Sequence, residues 1–240
     1  MIDRLWKRAR DDLGVMPPAG PADPVVFDHG ARVCQLALAM LGAPELADRA
    51  VDRAALAAAA LYHDAGWVVQ ANAGEIAPGE LLLRATSDSQ RELAADFLET
   101  RLRDLLPPES LDLAARAVLY AGDRLTELLE AQLVCEACHL DAIGPQALGL
   151  MIRKQIAEGR LLADIVAVWE RQEEYHYWQA RIKEGFRFPS VRRVAEQRWQ
   201  AMRAVMAEIR ASLSVEASMF AQAVQPARRA ASRRLPADAP

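Results

Sequence analysis

Aromatic residues are scarce in this 240-residue chain, at 6%, although hydrophobic residues reach 52% and alanine dominates them. A sheet-based core wants β-branched and aromatic side chains, so this mixture argues for closely packed helices. No segment alternates apolar and polar residues over the length of a strand, which removes the other support for a β fold. Only three cysteines are present, and they do not suggest a disulfide framework in a chain of this size. Long apolar runs are also missing. The longest, around Ala54 to Tyr62, is far short of the roughly 20 residues that cross a bilayer, so no membrane association is expected. The first ten residues are charged and amphipathic with no apolar stretch behind them, so no signal peptide is read and a cytoplasmic location is expected. The net charge of -4 provides no basic surface of the kind that nucleic-acid binding needs, and no nucleic-acid partner, sequence-specific or otherwise, is expected.

What is present is a succession of helical patterns. Ile2 to Asp12 places Leu5, Trp6 and Ala9 on one face. Gly14 to Pro24 holds four prolines and two glycines and reads as a linker. A second helix starts near Val25 or Asp28 and ends at Gly42 to Pro44, and an alanine-rich third runs from about Val51 to Asp64, stopped by Ala65-Gly66. Residues Trp67 to Ser87 read as irregular. Ser87 or Asp88 caps a further helix to about Leu106. Helices over Ser110 to Tyr120, Leu125 to Ile143, Pro145 to Glu158, Leu161 to Glu184 and Pro189 to Leu213 follow. There is no internal repeat. The expected organisation is an N-terminal helix and linker over 1–24, a helical core over 25–158, C-terminal helices packing on it over 159–215, and a disordered tail over 216–240. The expected fold class is all-α.

Histidine is rare too, with only His29, His63, His139 and His176. His63-Asp64 ends an apolar helix, where an imidazole beside a carboxylate is costly unless both lean toward one centre. A divalent metal ion is such a centre, since neutral imidazole nitrogen and carboxylate oxygen suit Zn, Mn, Fe, Ni or Mg. The competing interpretation is a hydrogen-bonded, half-buried histidine followed by a helix-terminal polar residue. An earlier helix carries His29 after Phe27-Asp28, and a later one carries Glu136-Ala-Cys-His-Leu-Asp141.

With these residues in place the sequence resembles the HD superfamily of metal-dependent phosphohydrolases over about Val26 to Gly144. Its closing part, Phe186 to Arg198, is similar to the last helix of some bacterial HD hydrolases. The family carries a first His, a His-Asp pair and a later Asp on separate helices around one ion. His29 matches the first position, and His63 and Asp64 match the pair. Many members end this series with Ala-Asp-Arg-Leu-Asp, whose earlier aspartate binds metal. Here Cys138 occupies that position and Asp141 matches the later aspartate, so Glu136, Cys138, His139 or Asp141 completes the shell. The resemblance implies a single compact multi-helix HD-type domain with long C-terminal helices. It also implies one divalent ion (Mn, Fe, Ni, Co, Zn or Mg) held by His29, His63, Asp64 and Asp141, with His63 and Asp64 the catalytic pair. The implied partner is a phosphorylated small molecule or a nucleotide, and a homo-oligomer is compatible with it. No histidine lies between His63 and His139, where two-metal members draw extra ligands, so a binuclear cyclic-di-nucleotide hydrolase is not expected. The substitution at Cys138 also motivates an alternative, a catalytically degenerate HD module that binds a ligand or a partner protein.

Other signals compete less well. Cys135-Glu-Ala-Cys138-His139 formally matches the C-x-x-C-H haem-attachment pattern, but that chemistry needs export, and no second C-x-x-C exists to build a four-thiolate zinc site. The aromatic and charged stretch Trp169 to Trp178 reads first as a packed helix and second as a cleft wall. The basic group Arg181, Lys183, Arg187, Arg192, Arg193 and Arg198 reads first as a solvated face and second as a source of phosphate-binding forks. Glu75 and Glu80 are candidate residues for the mouth of a site.

Overall fold

Alanine sets the centre of the molecule. The segment Arg53–Tyr62 is helical, and every residue from Ala55 to Tyr62 is buried. A helix that is apolar on all sides belongs in a core, and side chains no larger than a methyl group let neighbouring helices approach from every direction. The computed structural model describes residues 1–17 and 20–231, with side chains through residue 213. Among them are eleven α-helices: α1 Ile2–Asp12, α2 Val25–Met40, α3 Arg53–Tyr62, α4 Ala65–Asn72, α5 Asp88–Leu102, α6 Pro108–Tyr120, α7 Leu129–Asp141, α8 Ala147–Ala157, α9 Leu162–Glu174, α10 Tyr177–Gly185 and α11 Pro189–Ala231. Beyond one isolated bridge between Val15 and Asp23, the described residues contain no strand. None of their helices is long and apolar enough to cross a membrane.

Around α3 pack α1, α2, α5, α6 and α7. The α4 helix lies against α5 and touches α2, while α8, α10 and α11 gather on α9 and α11 reaches back to α7. One continuous hydrophobic cluster runs from Leu5 to Met206. The fold is thus all-α, a single compact multi-helix domain with long C-terminal helices. The N-terminal helix is tied to the core through Asp12, which accepts hydrogen bonds from Tyr62 Oη at 2.8 Å and Arg101 Nε at 2.9 Å.

Three segments differ from the pattern expected of the sequence. The stretch expected to be irregular after Gly66 opens with α4, because Gly66 allows close helix contact there and does not end a helix. The single helix expected over Leu161 to Glu184 is two, α9 and α10, broken where His176 adopts a left-handed backbone with φ of 53°. The last helix continues to Ala231, past the expected start of a tail at 216. The alanines and arginines of that stretch are good helix formers, and the remaining residues, 232–240, lie outside the described ones.

The start of α3 depends on Asp52, whose Oδ1 accepts from the backbone N–H groups of Ala54 and Ala55, while Oδ2 accepts from the Ser110 hydroxyl. Partial burial alone would raise the pKa of this carboxyl, but the hydroxyl and the two amides outweigh that effect and hold it below the ordinary value. The stabilisation is therefore fully present above the ordinary carboxylate pKa and is lost as pH falls through the lowered, folded-state value. Asp52→Ala is expected to cost about 1–2 kcal/mol in chemical unfolding at pH 7. The difference from wild type should shrink in acid, and a difference that stayed constant down to pH 2 would contradict this account.

Candidate metal centre

Two helix ends and two helix faces converge at the end of the buried α3. His63 and Asp64 follow its last turn, His29 comes from the first half of α2, and Cys138 comes from the last turn of α7. The α2 helix reaches α3 closely because Gly30 lies at the contact: a Cβ there would sit 2.4 Å from the carbonyl oxygen of Leu61. Its neighbour His29 is thereby brought beside His63, with ring centroids 5.1 Å apart.

Each imidazole is held by its Nδ1. In His29 that atom faces Asp141 Oδ2 at 2.8 Å, and in His63 it faces the Ala60 carbonyl at 2.9 Å. Pinning Nδ1–H in this way leaves Nε2 as the free donor atom of both rings. Both Nε2 atoms lie 3.4 Å from Asp64 Oδ2. Cys138 Sγ is 3.9 Å from His29 Nε2, and the donor atoms of His29, His63 and Cys138 all lie within 4.8 Å of one another. Donors placed tetrahedrally at about 2.1 Å from a common ion are about 3.4 Å apart, so these spacings fit a divalent cation. The buried Nε2 of His63 has no hydrogen-bond partner, as expected of an atom reserved for an ion.

Asp64 is oriented by a relay from α4. Trp67 Nε1–H donates to Thr86 Oγ1 at 3.0 Å, and the Thr86 hydroxyl donates to Asp64 Oδ1 at 2.6 Å. The relay occupies Oδ1 and leaves Oδ2 to face the histidines. Asp141 lies elsewhere than the family resemblance implies. Its Oδ1 accepts from Arg32 Nε at 2.8 Å, and its Oδ2 accepts from Arg32 Nη2 at 3.0 Å as well as facing His29. One helical turn beyond Cys138, it reaches the far side of the His29 ring. Glu136 and His139 also turn away, with Glu136 Oε1 accepting from the Arg187 N–H at 2.7 Å and His139 Nδ1 near the Gly185 carbonyl at 3.1 Å.

The electrostatics show a site short of positive charge. Burial alone would lower the pKa of His29, yet the Asp141 contact and the facing Cys138 raise it to about 10. Burial would also lower His63, but Asp64 and Cys138 push it up. Conversely, burial would raise the Cys138 thiol, and the two histidines bring it down to about 6. Asp64 and Asp141 are likewise held below the ordinary carboxylate range against their burial, Asp64 by His63 and His29, and Asp141, at about 2, by His29 and Arg32. The buried anions of the site thus face the two histidines, and a divalent cation would add positive charge at the same place.

The cluster forms the floor of a cavity of about 600 Å³. Arg91 and Arg181 line it half-buried, and Arg84 and Lys154 line it from more exposed positions. Its apolar wall includes Leu150, Met151 and Trp178. Of the basic group singled out in the sequence, only Arg181 lines the cavity. Arg187, Arg192 and Arg198 instead donate to the carbonyls of Arg124, Phe186 and Ile143. The aromatic stretch packs Trp169 and Trp178 into the hydrophobic core and also contributes Gln172, Tyr177 and Trp178 to the wall, so both interpretations hold. Glu75 and Glu80 are not among the lining residues. Sequence reasoning passed over Thr86, Arg84, Arg91 and Lys154, none of which sits in a motif.

The sequence matches no family model and no curated protein. The fold does match solved structures. YpgQ of Bacillus subtilis in complex with ADP aligns with a TM-score of 0.56 at 19% identity, covering 88% of this chain and 94% of that one. A predicted HD superfamily hydrolase from an uncultured Thermotogales bacterium aligns with a TM-score of 0.52 at 16% identity, covering 88% and 92%. Over most of each chain, the likeness to these structures is one of fold.

Proposed function

We propose that this protein is a metal-dependent phosphohydrolase that holds one divalent ion between His29, His63 and Asp64 and acts on a phosphoester, with nucleotides the leading substrate class. The observation that carries this reading is the convergence of both Nε2 atoms and Asp64 Oδ2 on the floor of a cation-lined cavity. When bound, a divalent ion supplies a hydroxide from water near neutral pH and polarises a phosphoryl oxygen. The chain provides the rest. Asp141 acts through His29 by holding its Nδ1, and Arg32 fixes Asp141. Arg181 and Lys154 meet the negative charge of the phosphate, and Arg forks suit its oxygens. Gln172 Oε1 and Trp178 Nε1, both buried without partners, offer an acceptor and a donor to the non-phosphate part of a ligand. The cavity volume falls within the roughly 300–1,000 Å³ of small-molecule sites, and the ADP held by a protein of similar fold supports a nucleotide.

The test is metal analysis of the purified protein together with a panel of nucleotides and phosphomonoesters. One ion per chain and metal-dependent phosphate release are expected. A metal-loaded protein that binds a nucleotide without hydrolysing it would replace this reading with a ligand-binding module. Arg181→Ala is expected to raise KM for a phosphorylated substrate about tenfold, the loss of one charge-assisted hydrogen bond of roughly 1.5 kcal/mol. Its metal content should stay unchanged, and an unaltered KM would remove Arg181 from the phosphate site.

A further inference from the structure

We infer that Cys138 is the fourth metal donor, and that its thiolate makes this a site for a borderline or soft cation (zinc, cobalt or ferrous iron) in preference to magnesium or manganese. The inference rests on the metal centre proposed above and deepens it. The segment from Glu136 to Asp141 offers four candidate side chains, and the structure disposes of three of them. Glu136 is engaged by the Arg187 amide, His139 faces the Gly185 carbonyl, and Asp141 is shared between Arg32 and the far side of His29. Cys138 alone faces the two imidazoles, within 4.8 Å of both donor atoms. An independent sign of a ligand is the Nε2 of His63, which is buried and has no hydrogen-bond partner in the space that Cys138 also borders.

The alternative role for Cys138 is that of a small apolar packing residue, as for many buried cysteines. Cys34 fills that role in α2, where burial pushes its thiol up to about 12. Cys138 also touches the core, but its Sγ faces ring nitrogens, with His29 Nε2 at 3.9 Å, a polar surrounding that suits a metal donor. With it the donor set becomes two nitrogens, one oxygen and one sulfur. Thiolate ligands favour zinc and other borderline or soft ions, while magnesium and manganese prefer oxygen donors. An aspartate in the same place would present a hard oxygen and relax that preference.

The experiment loads metal-free protein with cobalt(II) and records its absorption spectrum without substrate. Wild type should show a thiolate-to-cobalt charge-transfer band in the near ultraviolet. Cys138→Ser should retain the helical circular dichroism of wild type and lose the band. Zinc affinity, measured by chelator competition, should fall in Cys138→Ser by more than about 100-fold, beyond the 10–100-fold typical of losing a residue that only supports a ligand. In Cys138→Asp the preference for zinc over manganese should fall. Cobalt bound by wild type without the band overturns the inference, as does failure of wild type to bind cobalt, and an unchanged zinc-to-manganese preference in Cys138→Asp overturns the selectivity. If a variant fails to fold, the wild-type spectrum decides alone. The band can be present in a protein that hydrolyses no phosphoester, and hydrolysis can occur without the band, so the two readings fail separately.

Discussion

His63→Ala should abolish stoichiometric metal binding and lower phosphoester turnover by roughly three orders of magnitude, the rate equivalent of about 4 kcal/mol of charge stabilisation. The same substitution should leave the metal-free protein nearly as stable as wild type. It removes the hydrogen bond from Nδ1 to the Ala60 carbonyl, worth about 1 kcal/mol. It also removes the 3.4 Å contact to Asp64 and, in the other direction, the buried Nε2 that has no hydrogen-bond partner, whose desolvation costs about 1–3 kcal/mol. These terms oppose each other, and the space vacated opens onto an existing cavity. Saturating metal should separate the two proteins. At a thousandfold excess over Kd a bound ion stabilises wild type by about 4 kcal/mol, or roughly 8–16 °C in Tm for a domain of this size, while the variant gains nothing. Thermal unfolding with and without metal measures this directly. If His63→Ala keeps one ion per chain, His63 is not a ligand and the proposed centre is misassigned.

Much of this arrangement was legible in the residues, and its gaps have physical causes. The all-α class follows from the alanine content and the absence of strand patterns, and His29, His63 and Asp64 do meet. The fourth corner was not legible. Cys138 and Asp141 lie three residues apart on α7 and so share one face, which sequence spacing can establish. Spacing cannot tell which of the two lies level with His29 Nε2 and which meets Nδ1, because that depends on how far α7 slides along α2. The break at His176 was also hidden, since neither glycine nor proline marks the left-handed residue. The cavity cations come from separated elements, α5, α8, α10 and the segment before α5, and only the assembled fold makes them neighbours. Of the basic run only Arg181 reaches the cavity, while Arg187, Arg192 and Arg198 donate to backbone carbonyls, a division that spacing along the chain does not reveal.

Gly66→Ala should be the most damaging single-methyl change in the described structure, and it should act on stability and metal affinity together. Gly66 reads in sequence as a helix stop, yet it lies inside α4 at the contact with α5. A Cβ there would sit 2.1 Å from the Gln90 carbonyl oxygen and 2.8 Å from the carbonyl carbon. No flexible side chain can yield at that point, because the obstacle is the backbone of α5, fixed by its capping box between Ser87 and Gln90 and by the bond from Gln90 Nε2 to Gln70. The helices must therefore separate, at about 3 kcal/mol, the upper end of the usual cost of overpacking. A loss of that size lowers Tm by roughly 6–12 °C in a chain this long. Separation also moves Trp67 away from Thr86, and with it the relay that turns Asp64 Oδ2 toward the histidines. Zinc affinity should then fall by roughly 10–100-fold, as it does when a residue supporting a metal ligand is lost. Gly79→Ala is the control. A Cβ at Gly79 meets nothing within 4 Å, and the substitution should be neutral or stabilise by up to about 1 kcal/mol through the unfolded chain. Loss of Tm in Gly66→Ala with zinc affinity intact would show that Asp64 is held by something other than the Trp67–Thr86 relay.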